Sequence, residues 1–293
     1  MTDKIKYLFV INKGAGKDNF NWKEEIVKYF SALDIRFDIY ILPKKIVPKN
    51  LREKIELSDA ETIVAVGGDG TVNLVAAIIQ NSPKKLGILP AGSANGMARE
   101  LGIPAQALKA MELLNNGVVK HCDSILINKK YPCIHLSDIG MNARLIKYFD
   151  EGKFRGKWGY YRMLVKTMWR RKKMMVTFKT KDDLIRSEAV MLVIANTGKY
   201  GTGAVINPLA VLDDGLFELV LVKKLSFTSL VTMMFKPGLF NPKHIEIFQC
   251  QSVEIKTKHR VHFQIDGEYL GKIKDVQAEV QPHSLQIILP KTT

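Results

Sequence analysis

The segment Val66-Gly67-Gly68-Asp69-Gly70-Thr71-Val72-Asn73 joins a β-branched run to an apolar stretch with helical spacing. Residues 62–66 have the length of a buried strand, and residues 72–79 have the period of a helix. Glycines in the turn permit positive φ and close backbone approach, so that backbone N–H groups can converge on a phosphate. This order of elements predicts a parallel α/β unit that binds its ligand beyond the carboxyl ends of the strands.

The same pattern occurs on both sides of this segment. The loop Ile11-Asn12-Lys13-Gly14-Ala15-Gly16-Lys17 follows a strand-like run at 7–11, and Leu89-Pro90-Ala91-Gly92-Ser93-Ala94-Asn95-Gly96 follows another at 86–89. Neither these loops nor the first fits the P-loop or the dinucleotide GxGxxG pattern. Strands that alternate with helical segments over the first 120 residues predict a parallel sheet covered on both faces.

The second half of the chain has a different texture. Strand-like runs separated by glycine- and charge-rich turns dominate after residue 122, and helical patterns interrupt them at 160–171 and 226–235. We therefore predict an α/β protein with an N-terminal three-layer domain at 1–121 and a C-terminal antiparallel β domain at 122–284.

Charge and cysteine content indicate which partners and which cellular compartment to expect. The 293 residues include 44 Lys+Arg against 29 Asp+Glu, a formal net charge of +15, which calls for an anionic partner: nucleic acid, nucleotide phosphate or a membrane surface. Three widely spaced cysteines argue against a disulfide framework or a zinc site. With no secretory signal pattern and no apolar run of about 20 residues, we expect a cytoplasmic protein.

More than half of the excess charge lies in one segment. Between Arg144 and Lys173, eleven Lys or Arg residues accompany only two acids, and the tryptophans at 158 and 169 flank an apolar helical stripe. A basic amphipathic helix with tryptophan predicts peripheral contact with an anionic membrane. The alternative is that the apolar stripe packs on the β domain. No nucleic-acid recognition motif is present, so we expect no nucleic-acid partner.

Several motifs identify a family. Gly67-Gly68-Asp69-Gly70-Thr71 resembles the signature shared by NAD kinases, phosphofructokinases and diacylglycerol kinases. The motifs at residues 86–95, 98–104 and 208–216, together with Asp266-Gly267-Glu268, resemble the lipid kinase branch, which includes bacterial diacylglycerol kinases and sphingosine and ceramide kinases.

This resemblance implies an architecture and an activity. The fold would be a Rossmann-like domain followed by a β-sandwich domain for the lipid substrate, with the ATP cleft between them. The last strand, at 285–289, would return to the first domain, so that 285–293 belong with 1–121. The activity would be ATP- and Mg²⁺-dependent phosphorylation of a lipid hydroxyl, diacylglycerol-like or sphingoid-like.

The resemblance also assigns residues. Glu268 would be the catalytic base, and Asp214, with the carbonyls of Val211 and Leu216, would bind a structural Mg²⁺. Asp69 is the second predicted catalytic residue and is expected near phosphate-bound Mg²⁺. As plain turn residues, Asp69, Asp214 and Glu268 would instead be structural. The predicted ATP-binding residues lie in the three glycine loops: Asn12, Lys13, Gly14, Ala15, Gly16, Gly67, Gly68, Asp69, Gly70, Thr71, Val72, Asn73 and Ser93.

Three positions depart from the family pattern by lacking a carboxylate, namely Leu74, Gly96 and Asn142. They leave two alternatives open. One is a nucleotide- or lipid-binding protein with weak catalysis on the kinase scaffold, and the other is a kinase for a soluble metabolite such as NAD. A homodimer is also left open.

Overall fold

The N-terminal part of the chain alternates strands and helices, as its sequence predicts. The structure is a computed structural model and describes residues 5–14, 20–150, 173–180, 184–200, 205–225 and 243–291. The elements are β1 (Tyr7–Ile11), α1 (Trp22–Ala32), β2 (Phe37–Ile41), α2 (Pro48–Glu56), β3 (Thr62–Gly67), α3 (Asp69–Ile79), β4 (Lys85–Pro90), α4 (Gly96–Glu100) and α5 (Ala107–Asn116).

The remainder is mostly strand. Its elements are β5 (Val118–Ile127), β6 (Tyr131–Cys133), β7 (Leu136–Gly140), α6 (Met141–Asp150), β8 (Met174–Lys179), β9 (Leu184–Ala189), β10 (Met191–Ala195), β11 (Phe217–Val222), β12 (Ile245–Cys250), β13 (Ser252–Ile265) and β14 (Glu268–Leu289). The predicted helices at 160–171 and 226–235 lie outside the described residues.

The chain divides into two compact units. The N-terminal unit comprises Met1–Cys122 and His283–Thr293, and the β unit comprises Asp123–Pro282. The chain passes from one unit to the other within β5 and again within β14.

The sheet of the N-terminal unit is parallel. Its order is β14, β4, β3, β1, β2, with Gln286 of β14 beside Lys85 of β4. The strands end in register, since Ile11 pairs with Val66 and Gly67 pairs with Pro90. Tyr7, Phe9 and Phe30 pack against one another, with ring centroids 5.0 to 5.8 Å apart, and anchor one face of the sheet to α1. The loops after β1, β3 and β4 therefore leave the sheet at the same edge.

The β unit is antiparallel. Its strands run in the order β12, β11, β10, β7, β13, β14, and β8 pairs with both β13 and β9. Alternate residues of these strands enter one core, in which Phe178, Phe217 and Phe263 are buried. The mixed α/β fold with a C-terminal β domain is thus confirmed.

Several elements differ from the expectation. The runs at 252–256 and 261–265 form one strand, β13, which continues through a register shift. The runs at 276–280 and 285–289 likewise belong to β14. Helix α2 was not predicted; it begins with a proline and buries only Leu51 and Ile55, too few apolar residues for a periodic signal.

Candidate functional site

Three glycine loops meet the same edge of the parallel sheet. Asn12, Lys13 and Gly14 follow β1, Gly68 precedes α3, and Gly92 and Ser93 follow β4. Lys13, Gly14, Gly70 and Ser93 are exposed there, whereas Thr71 and Val72 are buried. The structure therefore brings together the predicted ATP-binding residues that it describes; Ala15 and Gly16 lie outside the described residues.

The second and third loops touch backbone to backbone. A Cβ atom on Gly92 would collide with the Cα of Gly68, and one on Gly67 would collide with the hydroxyl of Thr71. A side chain at position 92 would push the two loops apart, and one at position 67 would displace Thr71 within the second loop. Glycine is therefore required at both positions for close approach.

The carboxylate of Asp69 connects the same two loops. It lies in the first turn of α3, and its two oxygens accept hydrogen bonds from the backbone amides of Gly96 and Met97, each at 3.0 Å. A carboxylate oxygen has a second lone pair, so these contacts leave acceptor capacity for a cation or a water. Asp69 thus positions the third loop in this structure, and its role beside phosphate-bound Mg²⁺ stays a prediction.

Two asparagines hold the outer loops. The amide group of Asn12 donates to the Thr71 hydroxyl at 3.1 Å, and its oxygen accepts from the backbone of Gly14 at 3.0 Å. Asn95, at φ +49°, exchanges two 2.8 Å hydrogen bonds with the backbone of Gly92. Each of the two outer loops is thus fixed by the hydrogen bonds of one asparagine side chain.

In the β unit, the predicted base follows a two-residue hairpin turn. Asp266 and Gly267 have φ values of +49° and +88°, and Ile265 pairs with Glu268 across the turn. Positive φ at both central residues defines a type I′ turn, for which Asp-Gly is a preferred sequence. Glu268 is exposed at the start of β14.

The turn is fixed by the carboxylate of Asp266. It accepts hydrogen bonds from the amides of Ile134, His135 and Leu136 at 2.9 to 3.0 Å, and from the Cys133 thiol at 3.3 Å. Burial of the carboxyl raises its pKa to about 6, against the opposing effect of these hydrogen bonds. Glu268 therefore projects from a turn that is tied to a neighbouring segment.

A second buried acid, Asp138, is joined to the turn through Gln264, and it was not predicted from the sequence. Gln264 accepts from the amide of Gly267 at 2.8 Å and donates to Asp138 at 2.6 Å. Asp138 is fully buried and also accepts from the side chain of Asn142 and the amide of Ala143. Burial raises the pKa of Asp138 to about 6, and the hydrogen bonds oppose that increase. The available signal was its position two residues before the Gly140-Met141-Asn142-Ala143 motif.

The predicted metal residues lie in the loop before β11. Asp214 accepts from the amide of Leu216 at 3.0 Å. The buried Asp123, also missed from the sequence, accepts from the amide of Gly215 at 2.7 Å, while its own amide donates to the carbonyl of Leu212 at 2.6 Å. Val211 and Asp214 are exposed.

The possible metal ligands in this loop, the Asp214 carboxylate and the backbone carbonyls, are oxygen atoms. Mg²⁺ is commonly held by one or two carboxylates while it keeps several waters, so Asp214 with neighbouring carbonyls fits such an ion. The described part of the chain contains no group of three or more His, Cys, Asp or Glu side chains arranged to hold a metal ion.

Comparison with known proteins identifies the family. Residues 6–127 match the diacylglycerol kinase catalytic domain, and residues 137–289 match the YegS C-terminal NAD kinase beta sandwich-like domain. The chain belongs to the diacylglycerol kinase family. It is therefore a kinase by family, which agrees with the resemblance of the glycine-loop motifs.

Relatives within the diacylglycerol kinase family cover most of the chain. The diacylglycerol kinase of Bacillus subtilis (strain 168) is 28% identical over 245 residues, which are 80% of each chain. A Yersinia enterocolitica protein named "Probable lipid kinase YegS-like" is 32% identical over 78% of this chain and 79% of its own. The crystal structure of a diacylglycerol kinase from Bacillus anthracis str. Sterne has a similar fold, with a TM-score of 0.74 at 20% identity over 99% of this chain and 98% of that one.

Proposed function

We propose that this chain is an ATP- and Mg²⁺-dependent lipid kinase that transfers a phosphoryl group to a lipid hydroxyl, diacylglycerol-like or sphingoid-like. The N-terminal unit would bind the nucleotide and the β unit the lipid. The observation that carries the proposal is the set of three braced glycine loops at one edge of the parallel sheet, in a chain whose named relatives are diacylglycerol and lipid kinases.

The glycine loops support the nucleotide part of the proposal. Phosphoryl transfer depends mainly on positioning and on neutralising the charge of the phosphates. The first turn of α3 lies at the positive end of the helix dipole, which favours an anion. The exposed Lys13 adds a cation near the same edge.

The hairpin turn supports the choice of base. A lipid hydroxyl must lose its proton when it attacks, and a carboxylate within hydrogen-bond reach can accept it. Glu268 is exposed on a turn that Asp266 and Gln264 hold in place. In the proposed reaction Glu268 accepts the hydroxyl proton and Asp266 positions the turn.

The ion would contribute charge neutralisation. Mg²⁺, when bound with ATP, would offset the negative charge of the phosphates. Asp69 and Asn12 lie at the glycine loops and could contact that ion through oxygen atoms. Asp214, Val211 and Leu216 would hold a separate ion that stabilises the loop before β11.

Access to a lipid requires contact with its membrane. Among the residues that the structure describes, no helix is both long and apolar enough to cross a bilayer. We propose peripheral attachment of a cytoplasmic enzyme through the basic segment Arg144–Lys173, of which residues 151–172 lie outside the described residues.

The decisive experiment incubates the protein with labelled ATP, Mg²⁺ and a total lipid extract, and identifies the labelled product. Glu268→Gln should reduce the rate by about 10²- to 10⁴-fold, the usual contribution of a general base, and leave ATP affinity nearly unchanged. Glu279→Gln is the matched control, because Glu279 is exposed on the same strand and makes the same change of charge.

Each result decides between the alternatives. Full activity of Glu268→Gln would refute the assignment of the base. Labelling of NAD or another soluble metabolite in place of lipid would identify a metabolite kinase. ATP binding without a product from any extract would identify a binding protein with weak catalysis.

A further inference from the structure

A group of five exposed cations lies on the arms of the β13–β14 hairpin. Lys256, Lys258 and Arg260 belong to β13, and Lys272 and Lys274 belong to β14. We call these five residues the basic arm. It is separate from Arg144–Lys173 in the sequence and has no part in the site described above.

A register shift interrupts the strand pairing among these cations. Lys256 pairs with Asp275 and Val261 pairs with Ile273, so residues 257–260 of β13 face only Lys274 of β14. The extra residues form a bulge in which Lys258, His259 and Arg260 are all exposed. Regular alternation would expose Lys258 and Arg260 and turn His259 inward, so the bulge adds His259 to the exposed surface between the two cations.

The bulge is a fixed feature of the hairpin. The hydroxyl of Thr257 donates to the carbonyls of His259 and Lys274 at 2.9 and 3.0 Å. The guanidinium of Arg260 donates to the carbonyl of Lys272 at 2.8 and 3.2 Å. These bonds fix the backbones of the two strands to each other at the bulge.

The charge of the basic arm is only partly offset by neighbouring acids. Within the described ranges, none of its five side chains forms an ion pair. The exposed acids of the hairpin are Glu254, Glu268, Asp275 and Glu279. Asp275 lies directly opposite Lys256, whereas Lys272 pairs with His262 and no acid lies in the bulge beside Lys258 and Arg260. Exposed cations with no acid directly opposite them, here Lys258, Arg260, Lys272 and Lys274, indicate a surface that meets a polyanion.

We propose that the basic arm docks on the surface of an anionic bilayer. This inference rests on the proposed lipid kinase function, because the substrate of such an enzyme lies in the bilayer. Lys272 follows Glu268 by four residues, about 13 Å along the strand, and Leu270, 40% exposed, lies between them. Cations that hold headgroups at this distance would keep the proposed base near the membrane surface.

The test measures sedimentation of the full chain with vesicles, without ATP. One vesicle is phosphatidylcholine alone, and the other contains phosphatidylglycerol as well. The triple variant Lys258→Gln/Lys272→Gln/Lys274→Gln should weaken binding to the anionic vesicle roughly fivefold per lysine, on the order of a hundredfold in all. Arg260 is retained because its guanidinium bonds to the backbone.

The matched control is Lys23→Gln/Lys28→Gln/Lys109→Gln, which removes the same charge from exposed positions on α1 and α5. It should bind anionic vesicles almost as the unaltered chain does. Equal weakening by both triple variants, or none by the basic-arm variant, would overturn the inference. So would a basic-arm effect on binding to a DNA or RNA duplex that exceeds the effect on vesicles.

Failure of this inference is distinguishable from failure of the proposed function. The basic-arm variant should phosphorylate detergent-dispersed lipid at the rate of the unaltered chain, because its cations lie outside the catalytic residues. Absence of lipid phosphorylation by the unaltered chain would refute the function, whereas the vesicle result concerns the docking surface alone.

Discussion

Gly68 and Gly92 lie so close that a Cβ atom on Gly92 would collide with the Cα of Gly68. Two loops that belong to different strands are thereby joined at their backbones. The position of the amides in one loop depends on the small size of a residue in the other.

Replacing Gly92 by alanine should separate these loops. We expect a loss of about 1–3 kcal/mol of stability from the forced displacement, and a larger proportional loss of ATP affinity because the amides move apart. Thermal unfolding with and without Mg·ATP measures both. Gly14→Ala is the control for stability, since its Cβ would lie at an ordinary 3.4 Å from the oxygen of Asn12. Equal melting temperatures for the two variants would contradict this view of the contact.

Replacing Asp69 by asparagine should weaken the brace between the second and third loops. An amide has one acceptor oxygen, whereas the carboxylate accepts from both Gly96 and Met97. We expect a loss of about 1.5–3 kcal/mol, the range for a hydrogen bond to a charged group. Denaturant unfolding measures it, with the exposed Asp59→Asn as control. A catalytic loss without any change in stability would assign Asp69 to metal binding alone.

Two glycines with positive φ should differ in their tolerance of a side chain. Gly267, at φ +88°, faces open space, so alanine there should cost only backbone strain of about 1–2 kcal/mol. Gly140, at φ +106°, has the carbonyl of Val190 2.6 Å from the position of a Cβ. Gly140→Ala should therefore be the more destabilising variant in urea unfolding. A larger loss of stability in Gly267→Ala than in Gly140→Ala would contradict the close contact of Gly140 with the Val190 carbonyl.

The buried carboxyl of Asp138 should make stability depend on pH. Its pKa rises from 3.8 unfolded to about 6 folded, so the folded state holds the proton more tightly. Its contribution to stability is complete below pH about 4 and is lost as the pH rises through 6, by about 3 kcal/mol. Urea unfolding between these pH values measures the slope.

Asp138→Asn should reduce that slope without abolishing it, because Asp266, whose pKa burial also raises to about 6, still titrates in the same range. Asp275→Asn is the control, since Asp275 is exposed on β14. An unchanged slope in Asp138→Asn would show that Asp138 does not contribute to it.

Much of this fold could be predicted from local sequence. Residues 7–11, 62–66 and 217–222 are apolar runs of strand length, and all three form buried strands. The glycine loops could be recognised because the turns that follow such strands require glycine. Local pattern was sufficient where a single element buries its own apolar residues.

The network behind the hairpin could not be predicted in this way. Strand β7 reads Leu-Ser-Asp-Ile-Gly, and its polar Ser137 and Asp138 are buried. The partner that makes this burial tolerable is Gln264, 126 residues away. No periodicity links two such positions. The roles of Asp123 and Asp138 depend on long-range pairing and became visible only with the strands in place.

The carboxylate of Asp266 engages three successive amides, those of Ile134, His135 and Leu136. Backbone protons held in this way exchange with solvent only when the turn opens. Deuterium uptake by these three amides therefore reports on the hairpin at the position of Glu268 itself. It would distinguish a variant that lacks only the Glu268 carboxylate from one in which the turn that positions Glu268 has opened.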